Sequence, residues 1–108
     1  MMNVITNNNI KCTIALAALE NVVDPEIGLN VIDLGLIYQL DFDFAKKKIY
    51  VTMTLTTQFC PMGESITGAI KRVLENTFIG EVVLLELVFD PPWSFERISE
   101  EGQEYLNR

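Results

Sequence analysis

Between Leu36 and Thr56 apolar and polar residues alternate with a period of two, and the alternation is interrupted once, at Ala45-Lys46-Lys47-Lys48. Leu36, Tyr38, Leu40, Phe42 and Phe44 fall on one side of the first stretch, with Gln39, Asp41 and Asp43 on the other. In the second stretch Ile49, Val51, Met53 and Leu55 alternate with Tyr50, Thr52, Thr54 and Thr56. Successive side chains of a strand point to opposite faces, so the pattern specifies two half-buried strands joined as a β-hairpin. The period then changes. Met62, Ile66, Ala69, Ile70, Val73, Leu74 and Thr77 form one helical stripe, which predicts an amphipathic helix that ends before Gly80.

The flanks extend this frame. Thr6-Asn7-Asn8-Asn9 offers helix-capping side chains, and the apolar spacing from Ile10 to Val23 predicts a first helix over about 10–22. Asp24-Pro25 ends it, because the proline ring disfavours helical geometry at the residue before it. Residues 81–89 are short, β-branched and apolar apart from Glu81 and Glu86, and read as a well-buried third strand stopped by Asp90-Pro91-Pro92. Ser94 or Ser99 is placed to cap a short terminal helix that carries Ile98, Tyr105 and Leu106. The element order is αββαβα. A right-handed crossover sets the third strand parallel to the second and antiparallel to the first. The expected fold is therefore an α/β (α+β) two-layer sandwich with a small mixed three-stranded sheet. One domain spans residues 1–108, with 1–9 as a flexible lead-in.

Composition narrows the function classes. With 8 Lys+Arg against 15 Asp+Glu the net charge is −7, and only Lys46-Lys47-Lys48 and Lys71-Arg72 cluster, which argues against nucleic acid as a partner. There is no His, so the commonest general base, the Ser-His-Asp and Cys-His arrangements and every imidazole zinc site are excluded. The longest apolar run, residues 14–19, is far short of the roughly 20 a membrane helix needs. Residues 1–9 lack the features of a secretory signal, and two cysteines without CxxC spacing fit a reducing compartment, so a cytoplasmic location with no membrane partner is expected.

Cys60 carries the main chemical signal. It precedes Pro61 between a strand of threonines and the amphipathic helix, at or beside the helix N-cap. Unpaired N–H groups and the helix dipole favour a thiolate there, the form that binds metal or attacks an electrophile. Thr56 and Thr57 are near enough to hydrogen-bond that thiolate, while Glu64 opposes a low pKa. The competing reading makes Cys60 a small buried hydrophobe, and Cys12 is assigned to packing. Asp24, Glu26, Asp33, Glu64 and Asp90 stand at element ends, where capping and turn formation compete with acid–base work. Trp93 either plugs the core or offers an aromatic anchor to a partner.

Together, Asp24-Pro25-Glu26, Asn30, Asp33-Leu34-Gly35-Leu36-Ile37-Tyr38, Thr54-Leu55-Thr56 with Cys60-Pro61, and Pro91-Pro92-Trp93 with Ile98-Ser99 resemble the MIP18/DUF59 family. The resemblance implies a fold similar to the C-terminal domain of NifU and an iron-sulfur cluster assembly role of the SufT type. It matches Cys60 to the reactive cysteine expected to touch metal, cluster or persulfide, with Thr56 upstream of it. Asp24, Pro25 and Glu26 match the loop after the first helix, Asp33 and Gly35 the turn before the hairpin, and Trp93 the aromatic after the proline pair. The cysteine-rich C-terminal extension of the phenylacetate-degradation relatives, the long acidic N-terminal region of eukaryotic members and a fused P-loop ATPase domain are all missing.

A cluster normally takes four thiolates and Cys60 supplies one per chain, so the implied cofactor, an iron-sulfur cluster or iron, is held transiently and shared between chains or with a partner. A homodimer would supply two. The implied role is an assembly factor rather than an enzyme: a cluster-handling or targeting adaptor acting through Cys60. Asp24, Pro25, Glu26 and Trp93 would contact the assembly machinery or client apo-proteins, and Thr56, Thr57, Asp33, Gly35 and Glu64 would support the site. The alternatives are a pure protein-protein adaptor with a structural Cys60, or a thiol or persulfide enzyme lacking a histidine base.

Overall fold

The computed structural model describes residues 4–57 and 63–107. The elements are β1 (Ile5–Thr6), α1 (Asn9–Leu19), β2 (Ile37–Asp43), β3 (Lys48–Met53), α2 (Gly63–Thr77), β4 (Val82–Leu87), a 3-10 turn (Phe95–Arg97) and α3 (Glu100–Leu106). The sheet order is β1-β2-β3-β4, with β2 and β3 antiparallel and β3 and β4 parallel as expected. Helices cover one face of the sheet. Leu40, Phe42, Ile49, Val51, Met53 and Val83 point into that layer and meet Ala15 and Leu19 of α1 and Ile66, Ile70 and Leu74 of α2. Fully burying each large aliphatic side chain contributes roughly 1.5–3 kcal/mol.

Among the described residues the sheet has four strands, not three. Ile5 and Thr6, expected within a loose lead-in, pair in parallel with Gln39 and Leu40. Asn7 continues that ladder with its side chain: Nδ2 donates to the Phe42 carbonyl at 3.0 Å and Oδ1 accepts from the Phe42 N–H at 2.9 Å. Asn8 then caps α1, accepting from the Lys11 N–H at 3.0 Å. Two residues with a side chain as the third rung carry no periodicity for a sequence reading to detect.

Helix α1 stops at Leu19, earlier than the expected 22, because Val22 and Val23 pair with the following loop: the Val31 N–H donates to the Val22 carbonyl at 2.9 Å and Val23 bridges Asn30. A bulge shifts β2. Ile37 pairs with Met53 and Gln39 with Thr52, so Tyr38 is the additional residue and the alternation changes phase there. Leu36 and Ile37 are consequently both buried, while Tyr38, expected on the buried side, is half-buried and donates its hydroxyl to the Pro91 carbonyl. Phe44 is exposed as well. Its ring lies under the Lys11 ammonium, 3.6 Å away, and that ammonium also approaches Glu81.

Strand β4 corrects a second expectation. It stands at the sheet edge and exposes Val82, Leu84 and Leu87 instead of being well buried. An apolar run reports what one strand can bury, not whether a neighbour lies beyond it.

Candidate functional site

Asp24 is 2% exposed. Its Oδ1 accepts from the Glu26 N–H at 2.9 Å, its carbonyl from Gly28 at 2.8 Å, and its own N–H donates to Leu29 at 2.9 Å. Asp24 therefore folds the loop back on itself, as Asp does in local turns, and leaves Pro25 and Glu26 as the exposed corner.

The next turn begins with a reciprocal pair. Asn30 Nδ2 donates to Asp33 Oδ2 at 2.9 Å while the Asp33 N–H donates to Asn30 Oδ1 at 2.8 Å. The turn closes at Gly35, whose φ of 72° suits a residue without a Cβ. There is also no room for one, since a Cβ would run into the carbonyl and Cβ of Arg97.

Residues more than fifty positions downstream fasten this turn. Ser99 Oγ donates to Asp33 Oδ1 at 2.9 Å and the Ser99 N–H to the Asp33 carbonyl at 2.8 Å. Arg97 Nε donates to the Gly35 carbonyl at 2.9 Å, with its guanidinium 4.3 Å from the centre of the Tyr38 ring. Trp93 Nε1 donates to the Leu34 carbonyl at 2.6 Å, and its half-buried ring packs against the core. Ser99 Oγ also accepts from the Gly102 N–H at 3.0 Å, so Ser99, not Ser94, caps α3 through its side chain. Of the two roles open to Trp93, the geometry describes the plug. Arg97 had no role in the sequence reading, because only its distance from Gly35 in space identifies it.

The other group of sequence candidates stands elsewhere. After β3 the chain runs through buried Thr54 and Leu55 to half-buried Thr56 and exposed Thr57. Thr54, expected on a solvated face, is fully buried, its N–H bonded to Leu36. Gly63 opens α2 with a Cβ position 2.9 Å from Leu55 Cδ1, and exposed Glu64 follows it. Cys60 and its neighbours at 58–62, and with them the expected N-cap position, lie outside the described residues. Cys12 is buried in the α1 layer. Burial pushes its thiol up and outweighs the Thr6 hydrogen bond that lowers it. Among the described residues no group of three or more His, Cys, Asp or Glu could hold a metal ion. No helix among them is long and apolar enough to cross a membrane.

A fold of this order, with its turn of Asn30, Asp33 and Gly35 and a thiol between β3 and α2 in sequence, defines a class that comparison identifies. A family model described as iron-sulfur cluster assembly protein matches residues 14–83. The chain belongs to that family. It is 36% identical over 84 residues to the Fe-S protein maturation auxiliary factor YitW of Bacillus subtilis, covering 78% of this chain and 81% of the relative. It is likewise 36% identical over 78 residues to the Fe-S protein maturation auxiliary factor SufT of Staphylococcus aureus, covering 72% and 88%. A crystal structure of a DUF59 domain from Bacillus anthracis superposes with a TM-score of 0.81 at 35% identity, over 88% of this chain and 90% of that one. The MIP18/DUF59 resemblance and its SufT type are thus borne out, and the family match takes in Asp24, Asp33 and Cys60 but ends before Trp93.

Proposed function

We propose that the chain is an auxiliary factor in the maturation of iron-sulfur proteins and that it handles iron or a cluster as cargo through Cys60. Relatives named as maturation factors support the first part. One observation supports the second: Cys12 is sealed in the core with its thiol pushed toward the protonated form, which leaves Cys60 as the thiol within a chain that has two cysteines. A cluster normally needs four thiolates, so one chain cannot hold it alone. Two copies contribute two, and a client, the assembly machinery or a small thiol contributes the rest. The chain is then a point of transfer rather than a store.

In the sequence, Thr56, Thr57 and Glu64 flank the Cys60 segment and are the polar residues proposed to support it. Pro25 and Glu26 offer an exposed corner to a client or to the machinery. Asp33 and Gly35 act at one remove by fixing the loop they close.

Anaerobic reconstitution with iron and sulfide tests this reading. Bound iron and visible absorption should appear with the wild-type chain and with Cys12→Ala, and disappear with Cys60→Ala. Client maturation in cells should fall with Cys60→Ser. Uptake of iron by Cys60→Ala equal to wild type, or unchanged maturation with Cys60→Ser, would sink the cargo reading.

A further inference from the structure

Among the described residues nothing covers the face of the sheet opposite the helices, and its middle is apolar along β3 and β4, with Asp41 beside Tyr50 on β2. Tyr50 and Leu84 are register partners there, Val82 lies one rung away, and Ile5 is 66% exposed beside Gln39. A solvated sheet face normally alternates to polar side chains, so this middle is unusual for a surface left in water. At one end the face closes into a groove of about 360 Å³ lined in part by Ile5, Tyr38, Val88 and Pro91.

Charge on this face is polarised along the strands. At the groove end stand Glu86, the register partner of Thr52, and Asp90. Neither has an ion-pair partner among the described residues, and the nearby Arg97 is committed to Gly35 and the Tyr38 ring. At the hairpin end stand Lys46, Lys47 and Lys48, offset only by Asp43, the register partner of Lys48.

We propose that this open face is the interface of a two-fold dimer, in which a second copy stacks sheet on sheet with its strands reversed. Reversal lays the hairpin lysines of each copy over the Glu86 and Asp90 end of the other and buries Tyr50, Val82 and Leu84 between them. With strands running the same way, the carboxylates of a chain of net charge −7 would meet their own counterparts. The reversed arrangement is self-complementary and closes at two copies, as a two-fold interface requires. Face-to-face sheets pack about 10 Å apart, a spacing that interdigitated Tyr and Leu side chains fill. The inference goes beyond the cargo reading, since it concerns how chains associate whether or not Cys60 carries anything.

The test uses the full chain without iron, so failure of the cargo reading has no bearing on it. Sedimentation equilibrium of the wild type should give a dimer whose dissociation constant rises at least about tenfold between 50 and 500 mM NaCl, because salt screens exposed pairs. Lys46→Glu/Lys48→Glu and Glu86→Lys/Asp90→Lys should each be monomeric where wild type is dimeric. An equimolar mixture of the two should dimerise again, since each copy then presents the other's complement. These positions lie outside the core, and far-UV circular dichroism checks that both variants fold. A monomeric wild type, a dimer that persists in both variants, or a mixture that stays monomeric would overturn the proposal.

Discussion

Asp33 and Ser99 are joined twice, through a 2.9 Å side-chain hydrogen bond and a 2.8 Å bond from the Ser99 N–H to the Asp33 carbonyl. The same hydroxyl accepts from Gly102 at the start of α3. One oxygen thus secures a helix cap and the turn before the hairpin together. Ser99→Ala should cost about 1–2 kcal/mol in urea unfolding, near the upper end for a lost cap because a partner is lost as well. Hydrogen exchange should quicken in α3 and at Leu34 and Gly35. Faster exchange confined to α3 would show that the link to Asp33 carries no stability.

Gly35 and Gly80 both have positive φ, at 72° and 88°, yet differ in surroundings. Nothing lies within 4 Å of a Cβ built on Gly80, while one on Gly35 strikes Arg97. Gly80→Ala should therefore cost only the backbone preference, about 1–2 kcal/mol. Gly35→Ala should cost about 3 kcal/mol or more, since Arg97 must move and its bond to the Gly35 carbonyl stretches. Equal unfolding midpoints for the two variants would mean that the close approach is relieved at no cost.

Trp93 is the single tryptophan, so its fluorescence reports on the plug directly. Trp93→Phe keeps the ring but removes the donor to the Leu34 carbonyl, at a cost of about 1–2 kcal/mol. Trp93→Ala also removes apolar contact and should cost about 2–4 kcal/mol. Unfolding midpoints equal to wild type for both would return Trp93 to the role of a partner anchor.

The raised Cys12 thiol has a pH signature. The native chain keeps the proton to higher pH than the unfolded chain does, so the stability from Cys12 is complete below the ordinary thiol range. It falls as pH rises through that range, where the unfolded chain ionises first. The stability difference between wild type and Cys12→Ala should shrink from pH 7 to pH 10. In a Cys60→Ser background, native Cys12 should resist iodoacetamide until the chain unfolds. Fast alkylation in the native state would contradict its burial.

What the sequence made legible was local. The hairpin and α2 follow from periods of two and 3.6, and the parallel placement of β4 follows from crossover handedness. The Tyr38 bulge escaped because an inserted residue shifts the phase without breaking the apolar pattern. The edge position of β4 escaped because burial depends on what lies beyond a strand. In the site, Asp24 and Asp33 were legible as turn formers, whereas the contacts of Asp33, Gly35 and Leu34 with Ser99, Arg97 and Trp93 join residues about sixty positions apart. No spacing rule reaches that far.

Those long-range contacts set an order of events during synthesis. A ribosome adds roughly 5–20 residues per second, N-terminal part first, so the turn at 30–35 and the hairpin emerge several seconds before their fasteners. Contacts of such sequence separation form late, because the intervening chain must close a long loop. Until residues 93–99 arrive, the Leu34 and Gly35 carbonyls stay in water and the Asp33 carboxylate lacks its partner from Ser99. The nascent turn is therefore unlatched until residues 93–99 emerge, and that segment acts as a lock on the turn that precedes the hairpin.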